Sequence, residues 1–457
     1  MKSVSTRQLV QWDRQMIWHP FTQMKEWQKD PVLIVDRGEQ NTLIDTDGRR
    51  YLDGVSSLWT NVHGHRVPEI DRAVKNQLNK IAHSTFLGVS HVPAIHLAKR
   101  LLELAPKNLK RVFYSDSGSA AVEVALKMAY QYWQLKGHKT KKTFLKLKNA
   151  YHGDTLGSVS VGGINLFHEI FGPLLFKTYE ADAPYFYRDC FGGSQNEYAH
   201  FCAGRVEKIL KRHHENICAL IVEPVIQGAA GMLLQPPGYL EELRRLTKKY
   251  KVLLIADEVA TGFGRTGKMF ACEHDRVEPD FLCLAKGITG GYLPLSATLT
   301  TEEIYNAFLG DYREFKAFFH GHTYSANPLA CAAAIASLGL FEKKQVLARL
   351  QTKIEILRRE LEKIKCLPHV GDVRQAGFMV GIELVKNLKT KEPYPLKEKR
   401  GIRVSLMARN HGILIRPLGN VIVWMPPLSI KKTELEKLCL VTAKCVEAIT
   451  QSRPKKY

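Results

Sequence analysis

A lysine and an aspartate each end an apolar run, and together these residue types suit one kind of covalent chemistry. Asp257 follows the run 252–256, and Lys286 follows the run 281–285. A lysine amine forms a Schiff base with an aldehyde, and a carboxylate keeps a pyridine ring protonated so that the ring accepts electrons. The pair therefore indicates an enzyme that uses pyridoxal phosphate. Taken alone, Lys286 also fits a surface lysine, and Asp257 also fits a helix cap.

A turn of small residues offers a site for the phosphate of such a cofactor. Residues 115–119, with the sequence SDSGS, follow a predicted strand over 111–114 and precede a largely apolar helix predicted over 120–133. Free backbone amides and the positive end of a helix favour an anion, so Gly118 and Ser119 are candidate phosphate ligands. A plain helix cap explains the same pattern.

Two further strand ends carry candidate residues. Glu223 follows the apolar run 219–222, which predicts a third strand with a carboxylate at its tip. Tyr151 and His152 follow the alternating run 143–147, and the tyrosine offers an aromatic ring to a flat cofactor. A solvated strand end and a structural loop are the alternative interpretations of these residues.

The pair His320 and His322 resembles a set of metal ligands at first sight. The two histidines stand two residues apart, with no cysteine or carboxylate cluster beside them, and this makes a poor zinc site. We therefore predict no metal and a loop at this position. Asn327 is predicted to cap the helix that follows, with Pro328 at its first position.

These residues need a scaffold that brings several strand ends together. In an open α/β sheet, ligands bind in the crevice beyond the carboxyl ends of the strands, so Asp257 and Lys286 would meet over one bound molecule. The alternation of strand and helix patterns predicts one large α/β domain over 75–325, with a smaller domain formed by 1–74 and 326–457. In the smaller domain, strand patterns lie at 32–35, 42–44 and 421–424, and a helix is predicted over 328–344.

With these residues in place, the chain resembles the class III aminotransferases of fold type I over nearly its whole length. Ten short segments carry the resemblance: WHPFT at 18–22, DGVSS at 53–57, SDSGS at 115–119, YHGDT at 151–155, IADEVATGFGRTG at 255–267, FACEH at 270–274, TGG at 289–291, LSATLTT at 295–301, NPLAC at 327–331 and IRPLG at 415–419. The resemblance implies an α/β fold with a large domain around a mainly parallel sheet flanked by helices, and a smaller α+β domain built from both termini.

The resemblance also implies roles for single residues. Lys286, Asp257 and Tyr151 are the implied catalytic residues: the lysine carries the Schiff base and moves a proton, the aspartate pairs with the pyridine nitrogen, and the tyrosine covers the ring. The implied contacts to pyridoxal 5′-phosphate are Gly118, Ser119, Tyr151, His152, Glu223, Asp257, Lys286, His322 and Thr323, with Thr323 reaching the cofactor of the other subunit in a homodimer. The implied substrate-binding residues are Phe21, Leu58, Trp59, Tyr151, Lys286, Gly321 and Arg416, with Arg416 holding a carboxylate.

Within this class, the segments at 18–22 and 295–301 resemble the branch that acts in biotin synthesis. This implies ping-pong transfer of an amino group to 8-amino-7-oxononanoate through pyridoxamine phosphate, with S-adenosyl-L-methionine as the donor. Leu58, Phe21 and His322 differ from the best-known form of the branch and match a lysine-using form, so L-lysine is an alternative donor. Ornithine and 4-aminobutyrate aminotransferases share Asp257, Lys286 and Thr323 and form a second alternative.

The composition suits an enzyme but leaves a strong positive charge to explain. The chain has 457 residues, of which 45% are hydrophobic, and its formal net charge is +21. Lysine-rich stretches at 136–148, 248–251, 386–399 and 454–457 leave a nucleic-acid-binding protein as an alternative of a different class. Since the stretches are interleaved with acidic residues or lie in predicted loops, a solvated basic surface is the preferred interpretation.

The sequence predicts neither a targeting signal nor a membrane span. The first 20 residues lack an apolar signal core, and the longest weakly polar run, 329–341, falls short of the roughly 20 residues that span a bilayer. Nine cysteines without a CxxC pair argue against a disulfide framework and suit small core residues. We therefore expect a cytoplasmic protein that binds small-molecule substrates and neither nucleic acid nor membrane, and the resemblance to the family implies a homodimer.

Overall fold

The fold is described from a computed structural model, which describes residues 4–189 and 191–451. The helices are α1 Thr6–Met16, α2 Met24–Trp27, α3 Ser56–Trp59, α4 Pro68–Leu78, α5 Val92–Leu104, α6 Gly118–Leu135, α7 Leu156–Ser160, α8 Asn165–His168, α9 Gln195–His213, α10 Tyr239–Lys249, α11 Glu302–Ala307, α12 Pro328–Lys343, α13 Val346–Lys365, α14 Arg400–Asn410 and α15 Lys432–Gln451.

The strands are β1 Val35–Glu39, β2 Thr42–Asp45, β3 Arg50–Asp53, β4 Leu109–Ser115, β5 Thr143–Leu147, β6 Tyr179–Ala181, β7 Ile217–Val222, β8 Ile226–Gln227, β9 Leu233–Leu234, β10 Leu253–Asp257, β11 Phe281–Leu284, β12 Ser296–Thr301, β13 Val370–Ala376, β14 Met379–Asn387, β15 Glu392–Pro393, β16 Ile413–Leu414, β17 Arg416–Leu418 and β18 Val421–Trp424.

The central element is a seven-stranded sheet in the order β4-β12-β11-β10-β7-β5-β6. All its neighbours pair in parallel except β12, which runs antiparallel to both β11 and β4. Strands β7, β10 and β11 are buried at every residue, as expected for parallel strands covered on both faces. Helix α6 packs on this sheet against β7, β11 and β12. The predicted α/β fold with a mainly parallel sheet is confirmed.

The strands that carry the candidate residues lie close to their predicted positions. The run 252–256 forms β10 one residue later than predicted, so Asp257 is the last residue of the strand itself. The run 281–285 forms β11, and Lys286 begins a short 3₁₀ helix two residues after its end. The helix predicted over 120–133 is α6, which extends further at both ends.

The amino-terminal strand prediction over 32–35 was wrong for all but its last residue. Strand β1 begins at Val35 and continues through charged residues and a glycine to Glu39, because these residues pair with β2 at the edge of a small sheet. Residues 32–34 have hydrophobic side chains but lie in neither strand nor helix. The predicted strands at 42–44 and 421–424 are confirmed as β2 and β18.

Both ends of the chain build the smaller sheets. A four-stranded sheet has the order β1-β2-β3-β16, so the amino-terminal hairpins pair in parallel with a strand from the carboxyl-terminal part. A second sheet has the order β13-β14-β18-β17, with β15 beside β14. The predicted domain boundary at 74 falls inside α4, and the boundary at 325 lies just before α12. The division into domains itself stays a prediction.

The remaining predictions about the scaffold concern the helix after residue 327, the cysteines and membrane segments. Asn327 accepts hydrogen bonds from the backbone N–H groups of Leu329 and Ala330, which confirms the predicted cap of α12. Seven cysteines are buried and Cys366 is exposed, whereas Cys190 and the basic tail at 454–457 lie outside the described residues. Across 4–189 and 191–451, no helix is both long and apolar enough to cross a membrane.

Candidate active site

A cavity of about 870 Å³ opens beyond the carboxyl ends of β7, β10 and β11. Its lining brings together most of the residues predicted from the sequence to form a site. These are Phe21, Leu58, Trp59, Gly118, Ser119, Tyr151, His152, Glu223, Asp257, Lys286 and Arg416. The sheet supplies the floor of the cavity, and loops from the two ends of the chain supply its rim.

Lys286 reaches the cavity floor with its amine unpaired. Its Nζ atom lies 4.8 Å from the centroid of the Trp59 ring, and no hydrogen bond or ion pair holds it among the described residues. Burial lowers the pKa of Lys286, and the nearby carboxylates of Asp257 and Glu223 offset part of that shift. Lys286 also has a φ of 43°, a left-handed conformation that costs a residue with a side chain of order 1–3 kcal/mol. An amine in this setting loses its proton more readily than a surface lysine.

Asp257 and His152 form a buried pair beneath the cavity. His152 Nδ1 lies 2.6 Å from Asp257 Oδ2, and since a carboxylate only accepts, the imidazole donates this hydrogen bond. Asp257 Oδ1 accepts from the backbone N–H of Val259 at 3.0 Å. The two side chains are 4% and 0% exposed, so the pair is shielded from water. His152 Nε2 is buried and has no hydrogen-bond partner among the described residues.

Glu223 joins two loops at the edge of the floor. Its two carboxylate oxygens accept the backbone N–H groups of Tyr151 and Gly228, each at 3.0 Å. Burial raises the pKa of Glu223 to about 7, and the nearby His152 and the two N–H groups act against that shift. The sequence left a solvated strand end as an alternative, but the residue is only 5% exposed. Glu223 therefore fixes the loop that carries Tyr151.

Helix α6 begins at the cavity with Gly118 and Ser119. Its cap is Ser117, whose Oγ accepts from the backbone N–H of Ala120 at 3.2 Å. Ser119 Oγ accepts from the N–H of Asp154 at 3.2 Å, which ties the tyrosine loop to the start of the helix. Gly153, the residue before Asp154, has a φ of 123°, and a Cβ atom at Gly153 would lie 2.0 Å from Ser119 Oγ. Only glycine fits this crossing, and the helix start is left open to the cavity.

The rim near α3 has a strained backbone. Ser56, Ser57 and Trp59 all have φ between 50° and 69°, a range that residues with side chains seldom adopt. The buried carboxylate of Asp53 holds this turn, because its oxygens accept from the backbone N–H groups of Val55 at 3.2 Å and Ser57 at 2.8 Å. The turn directs the indole of Trp59 toward Lys286 and leaves Leu58, next to it, 52% exposed.

Arg416 faces the cavity from β17 with no counter-ion. No hydrogen bond or ion pair involving its guanidinium occurs among the described residues, and desolvation lowers its pKa. A guanidinium presents paired N–H donors that match a carboxylate. Arg416 is exposed at the mouth of the cavity, and its unpaired guanidinium is therefore suited to an anionic group on a ligand.

Three of the predicted residues do not line the cavity. Gly321, His322 and Thr323 are exposed in the loop before α12. His322 Nδ1 lies 3.0 Å from Asp116 Oδ1, so the loop is attached beside the start of α6. Within one chain, Thr323 has no access to the cavity, and its implied role in the other subunit's site stays a prediction.

No group of histidine, cysteine and acidic residues suited to a metal occurs within 4–189 and 191–451.

Several lining residues were not singled out from the sequence. Val259 stands two positions after Asp257 and meets Gly118, where an added Cβ would lie 2.6 Å from its Cγ1 atom. Its spacing from Asp257 is a signal that could have found it. Phe167, on α8, also lines the cavity, but it stands in an apolar-rich stretch with Ile164, Leu166, Ile170 and Phe171, so its residue type alone gives no such signal.

The arrangement suits proton transfer at carbon on a bound anionic molecule. The floor supplies an amine with a lowered pKa, a buried carboxylate and an open helix start. The rim supplies aromatic and aliphatic surface and one unpaired guanidinium. The first set suits a phosphorylated aldehyde cofactor, and the second suits a long substrate with a distant carboxylate.

Comparison with known proteins adds a family to this geometry. The model of the family "Aminotransferase class-III" matches residues 23–446. The adenosylmethionine-8-amino-7-oxononanoate aminotransferase of Nitratidesulfovibrio vulgaris is 54% identical over 98% of this chain and 83% of its own length. The enzyme of the same name from Methanocaldococcus jannaschii is 51% identical over 94% of this chain and 96% of its own length.

Solved structures show that enzymes with other names share this fold. The crystal structure of the M. jannaschii enzyme has a TM-score of 0.92 at 50% identity and covers 97% of this chain and 99% of its own. A thermostable (S)-enantioselective ω-transaminase from Thermomicrobium roseum has a TM-score of 0.94 at 34% identity, covering 98% and 100%. Backbone similarity thus does not separate the two kinds of enzyme, and the substrate must be argued from side chains.

Proposed function

The chain belongs to the class-III aminotransferase family, and we propose that it transfers an amino group to 8-amino-7-oxononanoate, forming 7,8-diaminononanoate in biotin biosynthesis. The observation that carries this proposal is the unpaired Arg416 in the same cavity as Lys286. A long acceptor with a carboxylate at the far end from its ketone would use both groups. The names of relatives at 51–54% identity support the same reaction.

Aminotransferases of this class depend on pyridoxal 5′-phosphate, and the residues at the cavity floor fit that group. Gly118 and Ser119 would hold its phosphate at the start of α6, Asp257 its ring nitrogen, and Lys286 its aldehyde. Tyr151 would cover the ring, with His152 and Glu223 supporting these contacts. When bound, the cofactor supplies an aldehyde that carries the amino group and a ring that accepts electrons.

Lys286 is the group that would move the proton at the reacting carbon. Since burial lowers its pKa, a larger share of the amine is deprotonated near neutral pH than in a surface lysine. The Trp59 ring at 4.8 Å excludes water from one side of the amine and attracts its charged form. The lysine can therefore accept a proton and return it without exchange into bulk water.

Asp257 would hold positive charge at the ring nitrogen through both half-reactions. Its Oδ2 atom is fixed by His152 and its Oδ1 atom by a backbone N–H, so the carboxylate cannot turn away. Low exposure strengthens the interaction of this carboxylate with a cation. The hydrogen bond that the Tyr151 backbone N–H donates to Glu223 would keep the tyrosine ring against the cofactor.

S-adenosyl-L-methionine is the proposed donor, with L-lysine as the alternative. Support for the first comes from the names of the relatives. Support for the second comes from Leu58 and Phe21, both of which line the cavity with large exposed fractions. A tryptophan and a tyrosine at these positions would give a donor stacking area and a hydroxyl that this chain lacks.

The proposed enzyme acts as a homodimer. Apolar and aromatic residues are exposed in the loop before α12 and before α5, including Phe319 at 75%, Tyr324 at 61% and Leu87 at 89%. Exposed side chains of this kind are typical of a protein interface. Thr323 lies outside the cavity of its own chain, which agrees with a contact to the cofactor bound in a second subunit. A cytoplasmic location without nucleic-acid or membrane partners stays a prediction from the sequence.

The test is product formation by the purified, cofactor-loaded protein. 8-Amino-7-oxononanoate is supplied with adenosylmethionine, lysine, ornithine or 4-aminobutyrate in parallel, and 7,8-diaminononanoate is measured by mass spectrometry. Product with adenosylmethionine supports the proposal in full, and product with lysine alone assigns the donor to the alternative. If no donor gives product while the bound cofactor still absorbs, the biotin reaction is refuted and the family assignment stands.

A further inference from the structure

A segment of the amino-terminal region that we call the arm, residues 17–23, reaches the rim of the cavity without forming helix or strand. Phe21, near its centre, lines the cavity and packs edge-on against Phe167, with ring centroids 5.5 Å apart. Phe21 is 68% exposed, so this contact alone buries little of its surface. A short irregular segment samples many conformations unless something at its base holds it. The rim therefore depends on an anchor for the arm.

The anchor is a buried carboxylate on α1. Asp13 is the one buried residue of this helix, which is otherwise exposed or half-buried. Its oxygens lie 3.0 and 3.2 Å from His19 Nε2, and its Oδ2 atom accepts from the indole N–H of Trp27 at 2.8 Å. The rings of His19 and Trp27 contact each other with centroids 4.2 Å apart. A buried charge is costly unless it is paired, so all three side chains are held together.

Two hydrogen bonds tie the far end of the surrounding loop, residues 28–30, to Arg14 of α1. Arg14 donates to the backbone carbonyl of Asp30 at 3.0 Å, and Gln28 donates to the carbonyl of Arg14 at 2.9 Å. These bonds close the chain between α1 and residue 30 into one compact loop. Within it, His19 is fixed by Asp13, and Pro20 restricts the backbone before Phe21. Asp13 thereby sets the position of Phe21 through His19 and Pro20.

We propose that Asp13 is a positioning residue for substrate selection: by holding His19, it sets where Phe21 stands at the rim of the cavity. The inference rests on the proposed function only for the identity of the substrate that meets Phe21. Asp13 touches neither substrate nor cofactor, so its loss would raise the KM for the amino donor and leave the reacting groups on the floor intact. In the sequence HPF at 19–21, His19 is then the residue held by Asp13, Pro20 is a stiff link, and Phe21 is the residue that contacts the substrate.

The first test measures the arm itself. Asp13→Asn removes the charge that His19 and the Trp27 indole share, and amide hydrogen exchange is followed in the holoenzyme. We expect faster exchange in peptides covering 17–23 and unchanged exchange in peptides from β10 and β11. Trp27→Phe is a milder variant that removes one donor and keeps an aromatic ring, and a smaller change in the same peptides is expected. Unchanged exchange at 17–23 in both variants would overturn the proposal.

The second test is a double-mutant cycle on the KM for the donor. Phe21→Ala removes the ring pair and is expected to raise this KM about threefold to tenfold. Asp13→Asn is expected to raise it by a similar factor, with kcat at saturation changed by less than about twofold. If Asp13 acts through Phe21, the double variant is no worse than the poorer single variant. Independent, multiplying effects would refute the proposed link between the two residues.

A matched control separates this role from a general effect on α1. Asp47 accepts a hydrogen bond from Thr6 at 2.6 Å at the other end of the helix and has no bond to the arm. Asp47→Asn should leave the KM and the exchange of 17–23 unchanged. The two proposals also fail separately. An absence of diaminononanoate from the wild-type protein refutes the reaction, whereas hydrogen exchange decides the role of Asp13 without any substrate.

Discussion

The floor and the rim of the cavity are built in different ways. On the floor, Asp257 and Glu223 each have both carboxylate oxygens bound, and their strands are buried at every residue. On the rim, Phe21 and Leu58 are 68% and 52% exposed, and Arg416 has no polar partner among the described residues. Under the proposed function, the difference means that the sheet fixes the reacting groups, while loops and edge strands hold the groups that would meet the substrate.

Loss of the floor amine should have the largest effect. Lys286→Ala removes the group proposed to bond to the cofactor and to move the proton, and we expect turnover to fall by at least about 10⁴-fold. Steady-state rates and the absorbance of the bound cofactor measure this. Lys353→Ala is the matched control, since Lys353 is a partly buried lysine that only donates to the carbonyl of Leu428. Substantial residual transamination in the Lys286 variant would contradict the assigned role.

Removal of the floor charge should have the next largest effect. Asp257→Asn keeps an oxygen for the N–H of Val259 but loses the negative charge beside the cofactor ring. We expect kcat to fall by about 10²–10³-fold, with a smaller change in KM. Asp275→Asn is the control, because Asp275 accepts from backbone N–H groups at the start of α10, away from the cavity. Equal kinetics in the two variants would mean that the charge is not needed.

The main polar group of the rim should affect binding rather than chemistry. Under the proposed function, Arg416→Ala leaves the acceptor carboxylate without its paired N–H donors, so the KM of the acceptor should rise by about 10²-fold. The first half-reaction with the amino donor, followed by absorbance, should change little. Arg416→Lys keeps the charge and loses the paired donors, and an intermediate KM is expected. A decrease in kcat with an unchanged KM would instead assign Arg416 to the chemical step, together with the residues of the floor.

The pH dependence of stability tests a second buried carboxylate beside the floor, that of Glu258. Burial raises the pKa of Glu258 from 4.5 to about 7, although it accepts N–H groups from Ala271 and Cys272. Because the folded state holds this proton more tightly than the unfolded chain, the stabilisation is fully present below pH 4.5 and is lost as the pH rises through 7. The loss amounts to about 3 kcal/mol. Glu258→Gln should therefore show a flatter fall of Tm between pH 5 and 8, and an unchanged slope would contradict the shifted pKa.

The smallest effect is expected from substitutions of the apolar rim residues Leu58 and Phe21. Leu58→Trp adds ring area beside Trp59, and Phe21→Tyr adds a hydroxyl. If the present residues favour lysine, the double variant should shift the ratio of kcat/KM values toward adenosylmethionine by about threefold to tenfold per position. Competition between the two donors in one reaction measures the ratio. An unchanged ratio would show that the donor is selected elsewhere on the rim.

The floor could be predicted from the sequence because each of its parts has a local signature. A short apolar run followed by a charged residue gave Asp257, Lys286 and Glu223, and a small-residue turn before a helix gave Gly118. The rule that ligands lie beyond parallel strand ends then placed them in one crevice. Local pattern and global topology agree here, so the prediction succeeded.

The rim could not be predicted in the same way. Phe21 and Arg416 were found only through a family resemblance, because an exposed aromatic residue and an edge-strand arginine have no local signal. The left-handed turn at Ser56 and Ser57 depends on the distant carboxylate of Asp53, and strain of this kind leaves no periodic trace. The bond from Asp13 to His19 joins a helix to a loop, which hydrophobic patterning does not report.

The pairing of β3 with β16 has a consequence for the making of the protein. Leu52 stands opposite Ile413, and Asn41 donates to Glu434 at 2.8 Å, so the sheet that supports the rim joins the two ends of the chain. About 360 residues separate the two strands, and a ribosome adding 5–20 residues per second needs roughly 20–70 s to cross that interval. All strands of the central sheet are synthesised by residue 301. A nascent chain therefore carries Lys286 for about 6–26 s before Arg416, 130 residues later, is added, although Phe21 and Leu58 precede both.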